Sequence, residues 1–327
     1  MKLPDEIEKQ IEEKVKNIKL TDLKEYAVNL SNRYMNEKRS GQSLLSEDIE
    51  AIVYSIIRMP ATYSAVKIAA LEANCNEKKI DSILDVGAGT GAASFAICEI
   101  IDIKKVTCIE RENAMQKLGK ELMHEHSVLK NTEWIDLDIE KDEMNKKADL
   151  VVSSYMLNEI REENRIAVVE KLLKATNKIL IIIEPGTPAG FNNIRKIQKY
   201  AIDNNIKILA PCTGQTYCKL NSDDWCHSIV RVERNKLHKY LKDGDAPYED
   251  EKFSYIALSK IVDSNEDSIS KARILRHPLI EKGKITLKVC LNGDISSMII
   301  TKKDKELFKM AKKKSCGECI PYIKEEF

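Results

Sequence analysis

At 327 residues and 43% hydrophobic content, the chain is long enough to bury one large core with smaller satellites, which excludes a disordered or fibrous protein. Its 53 basic and 52 acidic residues leave a formal charge of +1, so the whole-chain balance announces no nucleic-acid partner. No run approaches a signal peptide or a membrane span, and nine cysteines in such a chain argue for reduced thiols or metal ligands; the expectation is a cytoplasmic protein with no membrane partner.

Residues 1–75 read as a helical lead-in. Ile7, Ile11, Val15 and Ile18 recur at helical spacing, a second amphipathic run begins at Leu20, Ser46 offers an N-cap before Ile49 to Ile57, and Pro60 marks a break before a stretch ending at Ala73. Residues 76–210 change pattern. Short apolar runs at 82–86, 105–109, 149–153, 178–183 and 207–209 alternate with helical stretches at 92–101, 113–125, 161–175 and 191–204, which predicts an α/β, Rossmann-like, doubly wound parallel sheet.

Residues 211–250 are polar, bear cysteines and lack periodicity, and read as an insertion. Residues 251–272 hold the last strand, Phe253 to Ser259, and a linker. Residues 273–327 form a basic unit: alternation over 284–291, Asn292-Gly293 and Ser297 to Thr301 predict a hairpin, followed by a helix over 305–313. From Lys271 to Lys314 the chain carries 13 basic residues against four acidic ones. That local excess suits a phosphate-backbone contact as well as it suits a solvated face.

Asp85-Val-Gly-Ala-Gly-Thr-Gly91 lies between an apolar strand and a small-residue helix, where Gly87, Gly89 and Gly91 let backbone approach a nucleotide-like ligand beside Ala88. Glu110 ends the next strand, 19 residues past Gly91, in position to accept ribose hydroxyls, with Arg111 following. The Asp-x-Gly-x-Gly-x-Gly spacing resembles class I S-adenosylmethionine-dependent methyltransferases rather than nicotinamide dehydrogenases. In that family a polar residue after the third strand sits near adenine, a place that Asp136 or Asp138 could fill, while Ser154 and Asn158 follow the fourth strand at the ligand-binding edge. No Asn-Pro-Pro-Tyr and no evident base is present, so whether the chain is an enzyme and what its acceptor atom is stay open.

Cys212, Cys218, Cys226 and Cys290 contain no Cys-x2-Cys knuckle, and their spacing leaves zinc and iron–sulfur both open. Three thiols within a polar, loop-like segment are poor core material, which favours a metal. Cys316 and Cys319 make only half a site and read as exposed or incidental.

Arg58-Met-Pro-Ala-Thr-Tyr63, Leu84 to Ala93, Leu157-Asn-Glu-Ile160, Glu184 to Gly190, Ala210-Pro-Cys212 and Asp224-Trp-Cys-His227 leading to Arg231 and Arg234 together resemble the methyltransferase-like small-ribosomal-subunit assembly proteins, known from mitochondria with bacterial and archaeal relatives. The resemblance spans about residues 50 to 314. It implies a class I methyltransferase fold, bound S-adenosylmethionine, and a [4Fe–4S] cluster on Cys212, Cys218, Cys226 and Cys290, with zinc as the alternative metal. It also implies association with the small ribosomal subunit during assembly through its RNA; the expected partners are the rRNA and proteins of that subunit, with Arg231, Arg234, Lys302, Lys303, Lys312 and Lys313 as candidate RNA contacts, and the protein is expected to be monomeric off the ribosome. The competing expectations are an active rRNA methyltransferase and a methyltransferase acting on a protein or small molecule. The family's C-terminal Trp-Gly-Asp element stands here as Ser315-Cys-Gly-Glu, and nothing before residue 45 carries the resemblance.

Overall fold

The computed structural model describes residues 1–36, 47–261 and 271–322. The chain divides into two compact units, Met1–Ile183 with Val230–Glu251, and Glu184–Ile229 with Lys252–Phe327. The stretch 211–250 is therefore shared between them.

The first unit opens with α1 (Asp5–Val15) and α2 (Leu20–Asn36), whose apolar stripes Ile7, Ile11, Val15 and Leu23, Ala27, Leu30 are buried. Ser46 lies outside the described residues; α3 (Asp48–Ile57) starts instead at Glu47, whose N–H donates to the Glu50 carboxylate at 3.3 Å. Pro60 sits in the first turn of α4 (Met59–Glu72), where its missing N–H costs nothing, so the break falls at Arg58.

Then come β1 (Ser82–Val86), α5 (Ala92–Ile100), β2 (Lys105–Ile109), α6 (Asn113–Met123), β3 (Glu133–Ile135), β4 (Ala148–Ser154), α7 (Arg165–Ala175) and β5 (Thr176–Pro185). The strands pair in parallel in the order β3-β2-β1-β4-β5. Leu150, Val151, Val152 and Ile179 to Ile183 are all buried, as continuous apolar runs in a two-faced parallel sheet must be. This is the α/β, class I methyltransferase-like architecture expected.

The second unit takes up α8 (Pro188–Asp203) and β6 (Lys207–Ala210). Next follow β7 (Ser228–Glu233), α9 (Lys236–Leu241) and β8 (Tyr248–Ser259), of which α9 and the facing parts of both strands belong to the first unit. The later half of β8 pairs with β6 antiparallel, Lys207 opposite Ser259. The sheet is thus mixed rather than wholly parallel, since an antiparallel pair needs no crossover helix.

The chain ends with β9 (Lys271–Ile274), β10 (Leu279–Glu281), β11 (Lys284–Leu291), β12 (Asp294–Thr301), α10 (Lys305–Ala311) and β13 (Cys319–Pro321). These strands form a small antiparallel sheet whose core is Ala272, Ile274, Ile285, Leu287, Val289, Ile300 and Ile320 with Ala311 of α10. Among the described residues, no helix is long and apolar enough to cross a membrane.

Candidate functional site

In the first unit the chain turns from β1 into α5 through three glycines with φ of +72° (Gly87), +56° (Gly89) and +86° (Gly91), values that L side chains rarely adopt. A Cβ on Gly87 would sit 2.7 Å from Met156 Cγ, whereas one on Gly89 would meet nothing within 4 Å. Gly87 is needed for packing; Gly89 presents open backbone.

Asp85 is fully buried. Its Oδ2 accepts from the Ser94 N–H at 3.1 Å and the Ser94 hydroxyl at 2.8 Å, and its Oδ1 has no partner among the described residues. Burial pushes its carboxyl up to about 7 against the opposing Ser94 hydrogen bonds. Thr90 Oγ1, Ser153 Oγ and Asn158 Oδ1 are likewise buried without a partner. Unsatisfied polar atoms around a strand-to-helix turn are what a polar ligand would complete, so the residues fit a nucleotide-like cofactor.

Glu110, expected to accept ribose hydroxyls, has one carboxylate oxygen bonded by the glycine loop and the other by its own loop. They accept from the N–H groups of Gly89 at 2.7 Å, Arg111 at 2.8 Å and Glu112 at 2.9 Å. Burial raises its carboxyl despite those bonds. Arg111 faces Glu112 and Glu159. Asp136 follows β3 and is exposed, while Asp138 caps its own turn through the Glu140 N–H and pairs with Lys141. Of the two adenine-side candidates, Asp136 keeps its carboxylate clear of such a turn.

Ser154 ends β4, half-buried. Tyr155 follows at φ +59°, and its carbonyl accepts the Asn158 amide at 3.0 Å. Its hydroxyl donates to Glu251 at 2.7 Å, and Glu251 takes Arg58 through both oxygens at 3.2 and 3.3 Å. Arg58 stands in a quoted motif, but Tyr155 and Glu251 lie almost 100 and almost 200 residues further on, and nothing local couples them.

In the second unit the four cysteines line one cavity of about 50 Å³. Gln198 of α8 gathers two of them: its Nε2 donates to Cys212 Sγ at 3.3 Å and its Oε1 accepts the Cys218 N–H at 3.1 Å. Thr213 and Thr216 hook the same loop to the β11–β12 turn, Thr216 Oγ1 donating to Asn292 O at 2.6 Å and Thr213 Oγ1 accepting from Asn292 N at 3.0 Å. That brings in Cys290, which with Cys218, Cys226 and Trp225 packs on Phe191, Leu220 and Leu275. Burial pushes the Cys212 thiol up to about 12, and raises Cys218 and Cys290 as well. Among the described residues, no three or more Cys, His, Asp and Glu side chains are drawn to metal-ligating spacing. The donor set fits a thiophilic metal in kind, four soft sulfurs around one cavity with N–H donors behind them.

Cys316 is not exposed as expected. It is buried, donating to Leu275 O at 3.2 Å, with Sγ 3.7 Å from His227 Nε2. Gly317 makes this possible: at φ +93° it passes so close to Ser228 that a Cβ would lie 2.6 Å from its Cα. Burial, with Lys252 and Arg273 nearby, lowers His227 to about 4, so it is neutral.

Lys302, Lys303, Lys312 and Lys313 are exposed, and none has an ion pair among the described residues. The Lys302 N–H donates to Gly283 O at 3.2 Å, which sets Lys282 at the same end of the sheet. Arg231 and Arg234 are held in ion pairs. Both lie in the first unit, where Arg231 pairs with Asp250 through two bonds over the Tyr248 ring, and Arg234 and Lys242 pair with Glu249. Their partners stand in the polar stretch 245–251, two strands being needed to bring them together.

The family model for mitochondrial small ribosomal subunit Rsm22 matches residues 48–321. The chain belongs to that family. The chain is 22% identical over 299 residues to the human ribosome assembly protein METTL17, mitochondrial, across 84% of this chain and 63% of that protein's length. Similar solved structures include magnesium protoporphyrin IX methyltransferase (ChlM) from Synechocystis PCC 6803 with bound SAM, at 14% identity and TM-score 0.41, covering 74% of this chain and 97% of that one. Another is the plantazolicin methyltransferase BpumL in complex with SAH, at 14% identity and TM-score 0.42, covering 77% and 100%.

Proposed function

We propose that this protein binds S-adenosylmethionine at the Asp85–Gly91 loop, carries a [4Fe–4S] cluster on Cys212, Cys218, Cys226 and Cys290, and binds rRNA of the small ribosomal subunit during its assembly. The observation that carries the reading is the pinning of the Cys290 hairpin to the loop of Cys212 and Cys218 by Thr213, Thr216 and Gln198, in a unit where Lys302, Lys303, Lys312 and Lys313 have no ion pair among the described residues. Membership of the Rsm22 family and the similarity to the ribosome assembly protein METTL17 support the ribosomal context. A metal held by all four thiols would join segments far apart in sequence and so contribute folding free energy to the basic sheet. The chain's own residues prepare this: Gln198 donates to the Cys212 sulfur and holds the Cys218 backbone, and the Asn292-Gly293 turn delivers the fourth thiol.

Anaerobic purification with metal analysis and a visible absorption spectrum tests the cluster. Iron and sulfide in a 1:1 ratio with a broad visible band are expected; zinc without colour would select the alternative metal. Neither metal would remove the thiolate-site reading.

A second reading, an active rRNA methyltransferase, is favoured by the buried unpartnered acceptors Asp85 Oδ1, Ser153 Oγ and Asn158 Oδ1 beside the loop. Transfer of labelled methyl groups to immature small subunits would establish it. Calorimetric titration with S-adenosylmethionine decides between a cofactor site and a vestigial turn, and binding is the expected result.

A further inference from the structure

Behind the cysteine cavity lies a buried cation that the reading above leaves without a role. Arg273, on β9 between buried Ala272 and Ile274, is only 3% exposed. A guanidinium in such surroundings is retained only where its directional hydrogen bonds are used. Its Nε–H is aimed at Cys226 Sγ, 3.4 Å away. Nη1 donates to Gly317 O and Nη2 to Ser228 Oγ at 2.8 Å, and the plane lies 5.8 Å from the centre of the Tyr255 ring. Two anchored nitrogens fix the plane, so the third points at the sulfur without further ordering.

The charge argument is independent of the metal. Four thiolates around either Zn²⁺ or a [4Fe–4S]²⁺ core leave a net charge of about −2 in a partly buried cavity, which a nearby cation offsets. N–H donors to ligating sulfurs are a principal lever on such sites, and Gln198 provides one at Cys212.

We propose that Arg273 is the positioning residue of the cysteine site, holding Cys226 toward the cavity and offsetting the charge of the thiolate-bound metal. This rests on the metal-binding reading. Through Gly317 it also ties the tail segment, where the family's Trp-Gly-Asp stands as Ser315-Cys-Gly-Glu, to the same sulfur.

The test uses full-length protein purified anaerobically as wild type, Arg273→Gln and Arg273→Lys. Each is challenged with a chelator while metal per chain is followed. Loss should be about 10–100-fold faster for Arg273→Gln. Arg273→Lys should be intermediate, because an ammonium keeps the charge but cannot make the three planar contacts. A second readout separates positioning from packing: the reduction midpoint of an iron–sulfur form, or the charge-transfer band of a Co²⁺-exchanged zinc form. Removing the cation should move the midpoint to more negative values, or shift the band. Equal loss rates in metal-bearing wild type and variants overturn the proposal, and so does faster loss with an unmoved midpoint or band. If Arg273→Gln does not fold, Arg273→Lys decides by the same criteria. A wild type that binds no metal overturns the underlying reading and this inference with it, whereas a metal-bearing wild type with indifferent variants overturns the inference alone.

Discussion

Asp85 and Gly87 carry opposite kinds of constraint in one turn. Asp85 is a buried acid raised to about 7 from an ordinary value of 3.8, chiefly by loss of water. Below pH about 4 it is protonated in both folded and unfolded chains. Between there and about 7 the unfolded chain releases the proton that the folded chain keeps, so stability falls as pH rises through this window and stays lower above it. Asp85→Asn should remove this component, on the order of 4 kcal/mol across the window. Urea unfolding of both proteins at several pH values between 4 and 8 would measure it, and parallel curves would show that Asp85 is ionised in the fold. Gly87→Ala meets a steric limit instead: φ of +72° and a Met156 side chain 2.7 Å from the new Cβ. A loss of about 1–3 kcal/mol is expected in the same unfolding experiment, together with weaker S-adenosylmethionine binding by calorimetry. The glycine pattern was legible because positive φ is a demand that few other residues meet. The bonding of Glu110 to backbone N–H groups was not, since a strand-end carboxylate looks the same whether it serves a ribose or the two loops beside it.

Among the elements, the β11–β12 hairpin was the most legible. Asn292 and Gly293 take φ of +49° and +84°, as a two-residue primed turn requires, and the pairing of Leu291 with Asp294 follows from it. That register sends Leu287 and Val289 into the small core and Cys290 to the opposite face, paired with Ile295. A one-residue slip would remove the fourth cysteine from the cavity. Gly293→Ala places a Cβ 2.5 Å from Thr216 Oγ1 and 2.9 Å from Tyr217 O in a conformation already unfavourable for alanine. It should cost about 1–3 kcal/mol and lower the metal retained per chain, whereas full retention would mean that the turn does not set the position of Cys290. The stretch 211–250 was harder to read. The alternation of Ser228, Val230 and Val232 is present but brief, and α9, capped by Asn235 accepting the His238 N–H at 2.8 Å, spans six residues, too few for a helical period to stand out from polar neighbours. The burial of Cys316 was illegible for another reason: it depends on Gly317 meeting Ser228, a contact across almost 90 residues.

For the whole molecule, a formal charge of +1 conceals segregation: the excess of base over acid in 271–314 is balanced by an excess of acid elsewhere. A near-neutral protein can therefore meet a polyanion with one surface and repel it with the rest, which favours a defined orientation over general stickiness. If the lysines of β12 and α10 contact rRNA phosphates, each releases counterions on binding. Replacing Lys302, Lys303, Lys312 and Lys313 together by Ala should then lower affinity for small-subunit rRNA fragments uniformly across sequences. It should also make the slope of log K against log salt shallower by about 3, four contacts at ~0.7–0.9 each. Arg231→Ala and Arg234→Ala should leave that slope unchanged, because their guanidinium groups are already committed to Asp250 and Glu249. Fluorescence anisotropy over a range of salt concentrations separates the two surfaces. A shallower slope in the arginine variants with none in the lysine variant would transfer the RNA contact from the C-terminal sheet to the β7–β8 hairpin, and phosphate would then have to replace Asp250 and Glu249 as partners of the two guanidinium groups.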